Sequence, residues 1–211
     1  MYTVKKAGRT KQVEEISSLL DKAETLPLSC VNWKEYPYRP QARTAMMYND
    51  HYLFLKYWIE EDYCMALVDE DGGPVYRDSC VEFFVSPASD DYYYNFEFNC
   101  IGRCLLAYGN SRYNRIKAPL SVINLIHRKS SLGSLPFEEK KEKTKWNIFI
   151  AIPVQAFFRH EIKTFRKGIM KANFYKCGDG LTVPHYLSWS PIVTEKPDFH
   201  RPEFFNQIKL A

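Results

Sequence analysis

Between Val81 and Phe98 apolar and polar residues alternate with a period of two on either side of a polar break. That pattern predicts a β-hairpin. With Ser86 to Asp91 as its loop, Val85 faces Tyr92, and Val81, Phe83, Val85, Tyr92, Tyr94 and Phe96 fall on one apolar face. Glu82, Phe84, Tyr93, Asn95 and Glu97 fall on the other. A plain solvated sheet face would carry Lys, Thr and Ser. Carboxylates and an amide set among aromatic rings can instead hydrogen-bond hydroxyls while stacking on C–H surfaces. The second face is therefore the candidate functional face.

Similar patterns recur along the chain. Thr44 to Tyr48 and Tyr52 to Glu60 read as a strand pair joined at Asn49-Asp50, residue types that tolerate positive φ in a tight turn. Cys100-Ile101-Gly102 reads as a three-residue loop with Gly102 left-handed, followed by a strand from Arg103 to Tyr108. In that register Arg103 shares the face of Glu82 and Glu97, whereas a two-residue loop would turn it to the core. Further strands are predicted at Ser121 to Arg128, Lys145 to Ile152, Gly168 to Lys176, Tyr186 to Ser190 and Phe204 to Leu210, with one helical turn at Pro153 to Phe158. Near the N-terminus Val13, Ile16, Leu19 and Leu20 form one helical stripe. The expectation is an all-β chain: an antiparallel β-sandwich over residues 30–211, with residues 1–29 as a short helical extension docked on it.

Composition narrows the function. At 211 residues the chain suits one sandwich domain. Its +4 charge comes from 29 basic against 25 acidic residues, scattered apart from the run Lys140 to Lys145, which reads as a solvated loop. No nucleic-acid stripe results. Six cysteines (Cys30, Cys64, Cys80, Cys100, Cys104, Cys177) contain no C-x-x-C pair, so they read as buried free thiols rather than a zinc knuckle. Trp33, Trp58 and Trp146 read as packing. No apolar run follows Met1 and none reaches membrane-span length. The expectation is a chain with no export signal, cytoplasmic as written and extracytoplasmic if a leader has been trimmed.

The motifs Tyr76-Arg77-Asp78-Ser79-Cys80-Val81-Glu82-Phe83-Phe84, Tyr94 to Gly102, Ala172 to Cys177, His185 to Pro191 and Asp198-Phe199-His200-Arg201-Pro202-Glu203-Phe204-Phe205 together resemble family 9 carbohydrate-binding modules, over roughly residues 40–211. The resemblance implies a sandwich related to the DOMON fold that holds a glucose-type ring between two aromatic side chains, with acid, amide and arginine on the hydroxyls. It puts Tyr76 and Trp189 in the aromatic positions, Glu82 in that of the carboxylate and Arg103 in that of the arginine. Asn95 and Glu97 join them from the hairpin pattern. Tyr76 stands where a tryptophan is frequent, so glucan specificity is not carried over. The implied partner is a mono- or oligosaccharide, with association with a glycoside hydrolase as a further use and no nucleic acid or membrane span.

Two alternatives stand beside this reading. Glu82 and Glu97 could serve as the acid and base of a glycoside-processing enzyme. DOMON relatives also include b-type cytochromes with His and Met ligands, for which His51, His127, His160, His185 and His200 with Met46, Met47, Met65 and Met170 are candidates. No cofactor is expected, although the loop acids Asp69-Glu70-Asp71 and Asp90-Asp91 could hold a structural calcium.

Overall fold

A computed structural model describes residues 1–8, 13–88 and 91–211, with side chains from residue 15 onward in the first helix. In chain order the elements are β1 (Tyr2–Lys6), α1 (Val13–Leu20), β2 (Leu26–Pro27), β3 (Cys30–Val31), β4 (Gln41–Tyr48), β5 (Tyr52–Glu61), β6 (Cys64–Ala66), β7 (Cys80–Ser86) and β8 (Tyr93–Asn99). They continue with β9 (Cys104–Gly109), β10 (Ile116–Lys117), α2 (Leu120–Ile123), β11 (His127–Ser130), β12 (Phe137–Lys140), β13 (Thr144–Pro153), β14 (Gly168–Cys177), β15 (Tyr186–Ser188) and β16 (Asn206–Leu210). Single 3-10 turns lie at Val75–Arg77, Val154–Ala156 and Pro202–Phe204.

The strands form a β-sandwich, as the alternation predicts. One layer runs β10-β9-β8-β7-β14-β16 and the other β4-β5-β13-β11, and β1 lies between β16 and β4. Tyr2, Thr3 and Val4 pair with Ile208, Lys209 and Leu210, whereas Lys5 and Lys6 pair with Met47 and Tyr48. Both ladders are parallel, so the sandwich is antiparallel except at this seam. The first residues of the extension are thus a sheet strand, with Tyr2 and Val4 buried and Thr3 and Lys5 exposed. The helix expected at Val13 is present, and its Ile16 and Leu20 are buried against Phe54 and Phe149.

The two layers meet in an aromatic core. Phe83 stacks on Phe96 and on Phe174, and Tyr57, Leu55 and Ile150 close over them from the other sheet. A polar group crosses this core: Lys176 Nζ lies 2.8 Å from Glu61 Oε2, both fully buried. Trp146 Nε1 donates to Glu61 Oε1 (2.7 Å) and Lys176 Nζ donates to His185 Nε2 (2.8 Å). Burial and the Lys176 charge hold His185 well below its usual pKa, so the ring is neutral and accepts.

Several expectations need correction. Val85 pairs with Tyr94, not Tyr92. The shift is by two residues and preserves both faces, but Tyr92 leaves the ladder and stacks, half-exposed, on Tyr108. Ser121 to Arg128 is a helical turn followed by a strand, because Pro119 starts a turn that buries Ile123 and Ile126 at helical spacing. Phe204 belongs to the 3-10 turn before β16. At Asn49 the turn needs no positive φ: Asn49 Oδ1 accepts from His51 N and Tyr52 N, and Asn49 N donates to Tyr52 O. Gly102 does take a left-handed φ of 87°, closing the three-residue loop read from the sequence.

Candidate functional site

Strand alternation delivers the polar face of the hairpin intact. Glu82 is directly opposite Glu97 across β7 and β8, and Asn95 lies one step along the same face. On the flanks Leu105 of β9 pairs with Glu97, and Tyr175 of β14 pairs with Glu82. Glu82, Asn95 and Glu97 are nevertheless buried, because the chain folds a wall over them. Between wall and sheet lies an open cavity of about 290 Å³.

The wall has three parts, each with a local cause. The turn Val75–Arg77 presents Tyr76, which is 38% exposed. Asp179 N donates to Tyr76 O and Gly180 N to Arg77 O, fastening that turn to the segment after β14. A Cβ at Gly180 would stand 2.7 Å from Arg77 O, so the close approach requires glycine. Asp78 anchors the turn from below by accepting from Leu67 N, Val68 N and Asn99 Nδ2. The second part is the segment before the last strand. Phe199 stacks on Tyr175 (4.1 Å, 9°), and Phe205 packs edge-on against Tyr93, which sets Phe199 and His200 at the rim. Arg115 comes from the third part, between β9 and β10. It donates to Asn95 Oδ1 (2.9 Å) and Tyr93 O (3.0 Å) with its guanidinium over the Tyr93 ring.

The electrostatics follow from this enclosure. Asn95 Nδ2 donates to Glu97 Oε1 (2.7 Å), while Glu97 Oε2, also buried, has no hydrogen-bond partner among the described residues. Burial raises the Glu97 pKa to about 7 against the pull of Asn95 and Arg115. Glu82 is pushed well above the carboxylate range, first by burial and then by Cys177 and Glu97, and its Oε1 accepts from the Cys177 thiol (3.2 Å). Two carboxylates directly opposed on neighbouring strands would repel if both were ionised. Burial and the Arg115 and Arg112 charges lower His200 to about 3, so it is a neutral partner of the Tyr93 hydroxyl.

Of the residues named from the sequence, Tyr76, Glu82, Asn95 and Glu97 line this one cavity. Arg103 and Trp189 do not. The Arg103 side chain leaves the end of the turn toward Ser134 O, and the arginine that bonds Asn95 in the cavity is Arg115. Trp189 falls on the other side of its sheet: Tyr175 pairs with Ser188, so Trp189 shares the face of Phe174 and packs on Phe174 and Tyr2. The same alternation brings Tyr186 to the cavity. Arg115 was missed because its irregular segment has no periodicity, although its neighbours Arg112 and Lys117 are also basic and also line the site.

The remaining candidates fall elsewhere. A wider groove of about 640 Å³ runs beside Trp58, Arg43 and Glu60. There Arg43 covers the Trp58 ring, and Lys143 and Lys145 hold Glu60. Among the described residues the small cavity has one histidine, His200, and no methionine. Of the loop acids, Asp71 is bound by Arg128 and by Cys104 N, and Asp90 lies outside the described residues. Trp33 and Trp146 are buried as expected, and Trp58 is half-buried.

Comparisons with known proteins agree with the architecture. The model of carbohydrate-binding family 9 matches residues 14–210. A candidate carbohydrate-binding protein from Bacteroides uniformis ATCC 8492 is 44% identical, with 99% of this chain and 98% of that one covered at a TM-score of 0.95. A family 9 module from Caldicellulosiruptor kristjanssonii, solved in complex with glucose and with cellotriose, shares the fold at 12% identity. The glucose complex covers 99% of this chain and 94% of that one at a TM-score of 0.64; the cellotriose complex covers 99% and 92% at 0.65. Comparison with functionally curated proteins found no match.

Proposed function

The chain belongs to carbohydrate-binding family 9, and on that premise we propose that the cavity over the β7–β8 face binds a saccharide without transforming it. One sugar ring sits against Tyr76, with Tyr186 as the second aromatic wall. Its hydroxyls are met by Asn95, Glu97, Glu82 and Arg115. The observation that carries this reading is the convergence of Tyr76, Glu82, Asn95 and Glu97 on one cavity in which Glu97 Oε2 is buried without a hydrogen-bond partner among the described residues. A pyranose has C–H groups on its faces and hydroxyls around its rim, so it needs flat rings beside it and charged or amide partners at its edge. The cavity is at the lower end of the ligand-pocket range, about 300–1,000 Å³, which suits a single ring with the rest of a chain leading outward.

Titration calorimetry with glucose and cellotriose, then a wider glycan panel, tests this. Tyr76→Ala is expected to weaken binding several-fold or more, the loss of about 1 kcal/mol of aromatic contact. Asn95→Ala, which also releases Arg115, should weaken it further. No binding to any glycan by the folded chain would overturn the reading. Cleavage of an oligosaccharide would replace it with hydrolysis by Glu82 and Glu97.

A further inference from the structure

At the base of the cavity three metal-ligating side chains converge from two neighbouring strands. Cys80 of β7 pairs directly with Cys177 of β14, and Glu82 is the next residue on the same face of β7. Their two sulfurs and one carboxylate oxygen all lie within 4.8 Å of one another, and Cys177 Sγ is 3.2 Å from Glu82 Oε1. A tetrahedral zinc with ordinary bond lengths sets two thiolates about 3.8 Å apart and a thiolate and a carboxylate oxygen about 3.5 Å apart. We propose that Cys80, Cys177 and Glu82 form a binding site for a thiophilic divalent cation, zinc above all. Its fourth coordination position faces the cavity.

Two features favour an ion over plain packing. All three side chains are buried, yet Glu82 and Cys177 line the cavity, so the site is enclosed below and reachable from above. Among the described residues no Lys or Arg donates to Glu82; its side-chain partner is the Cys177 thiol. Bound by two thiolates, a dication displaces the thiol protons to solvent, making uptake stronger as pH rises. Sulfur ligands select zinc over calcium or magnesium, which prefer oxygen sets. Two protein thiolates, one further protein ligand and an open position match the composition of zinc sites that accept water or a ligand hydroxyl.

Glu82 and Cys177 line the same cavity as the proposed sugar site, but the cation site does not rest on that reading, and its test uses no sugar. The full chain, reduced with a phosphine and stripped with a chelator, is titrated with cobalt(II) and then with zinc. Binding of one cobalt per chain is expected, with a thiolate-to-cobalt absorption in the near ultraviolet that zinc abolishes, and with proton release. Cys177→Ser and Cys80→Ser should each remove the band. Cys64→Ser and Cys100→Ser, at the other close thiol pair (3.9 Å) in the inter-sheet core, should leave it. Glu82→Gln should keep the band and weaken zinc affinity at least about tenfold. A folded, reduced, unsubstituted chain without the band overturns the proposal, as does a band that survives in a folded Cys177→Ser or Cys80→Ser variant or disappears in Cys100→Ser. Should the Cys177 and Cys80 variants not fold, an unchanged zinc affinity in Glu82→Gln overturns it.

Discussion

Glu97 is a carboxyl whose protonation the fold controls, and the consequence can be measured. Its folded pKa of about 7 stands above the ordinary 4.5, so between those values the folded chain holds a proton that the unfolded chain has lost. The Glu97 contribution to stability therefore falls as pH rises through that window and is gone above it, a loss of about 3 kcal/mol at 1.36 kcal/mol per unit. Glu82, raised well above the same ordinary value, adds a loss of the same sign that begins in the same window. Urea unfolding at pH 5 and pH 8 should show the loss, and Glu97→Gln should shrink it. Trp189 tests a different assignment. Partly buried against Phe174 and Tyr2, it contributes to packing, so Trp189→Ala should cost roughly 2 kcal/mol or more while leaving glycan affinity unchanged. A folded variant with lost affinity and unaltered stability would return Trp189 to the binding face. Sequence similarity could place the tryptophan in a motif but could not say which of Tyr186 and Trp189 faces the cavity. That depends on the pairing of Tyr175 with Ser188, a contact between distant strands.

Elements with a strict two-residue period were legible, since one residue placed on a face places its strand neighbours too. Val81, Phe83, Tyr94 and Phe96 are in the inter-sheet core, and Glu82, Asn95 and Glu97 are opposite, although the hairpin pairing differs by two residues. Burial on both faces of β7 and β8 was not legible, because the wall over the second face comes from segments without periodicity: the Tyr76 turn, the Arg115 segment and the Phe199 segment. A buried ion pair between sheets was equally hidden, as Lys176 sits in what reads as an ordinary alternating strand. Removing one member of such a pair strands the other charge, so Lys176→Met should cost about 3–5 kcal/mol in denaturant unfolding. Adding Glu61→Gln, which can still accept from Trp146, should recover much of that loss. A single variant as stable as the unsubstituted chain would show that the pair carries no such penalty.

For the whole molecule, the decisive piece is the strand read as part of a helical extension. β1 is five residues long, too short to stand out, and its partners β16 and β4 lie at the far end of the chain and beyond the helix. Yet it joins the two layers along one seam, with Ala7 N donating to Tyr48 O and Ala211 N to Val4 O just past the ladders. Burial of Tyr2 and Val4 contributes roughly 1.5–3 kcal/mol each, a large part of the 5–15 kcal/mol that about any domain has in total. Removing residues 1–7 also bares the edges of β16 and β4, and bare edges pair with other chains. The shortened protein should melt roughly 10 °C lower, from about 4 kcal/mol lost at 2–4 °C per kcal/mol, and should self-associate in sedimentation. A synthetic peptide of residues 1–8 should reverse both effects by adding back the strand. A shortened chain that stays monomeric and melts within about 2 °C of the full one would show that the seam is closed by β16 and β4 without it.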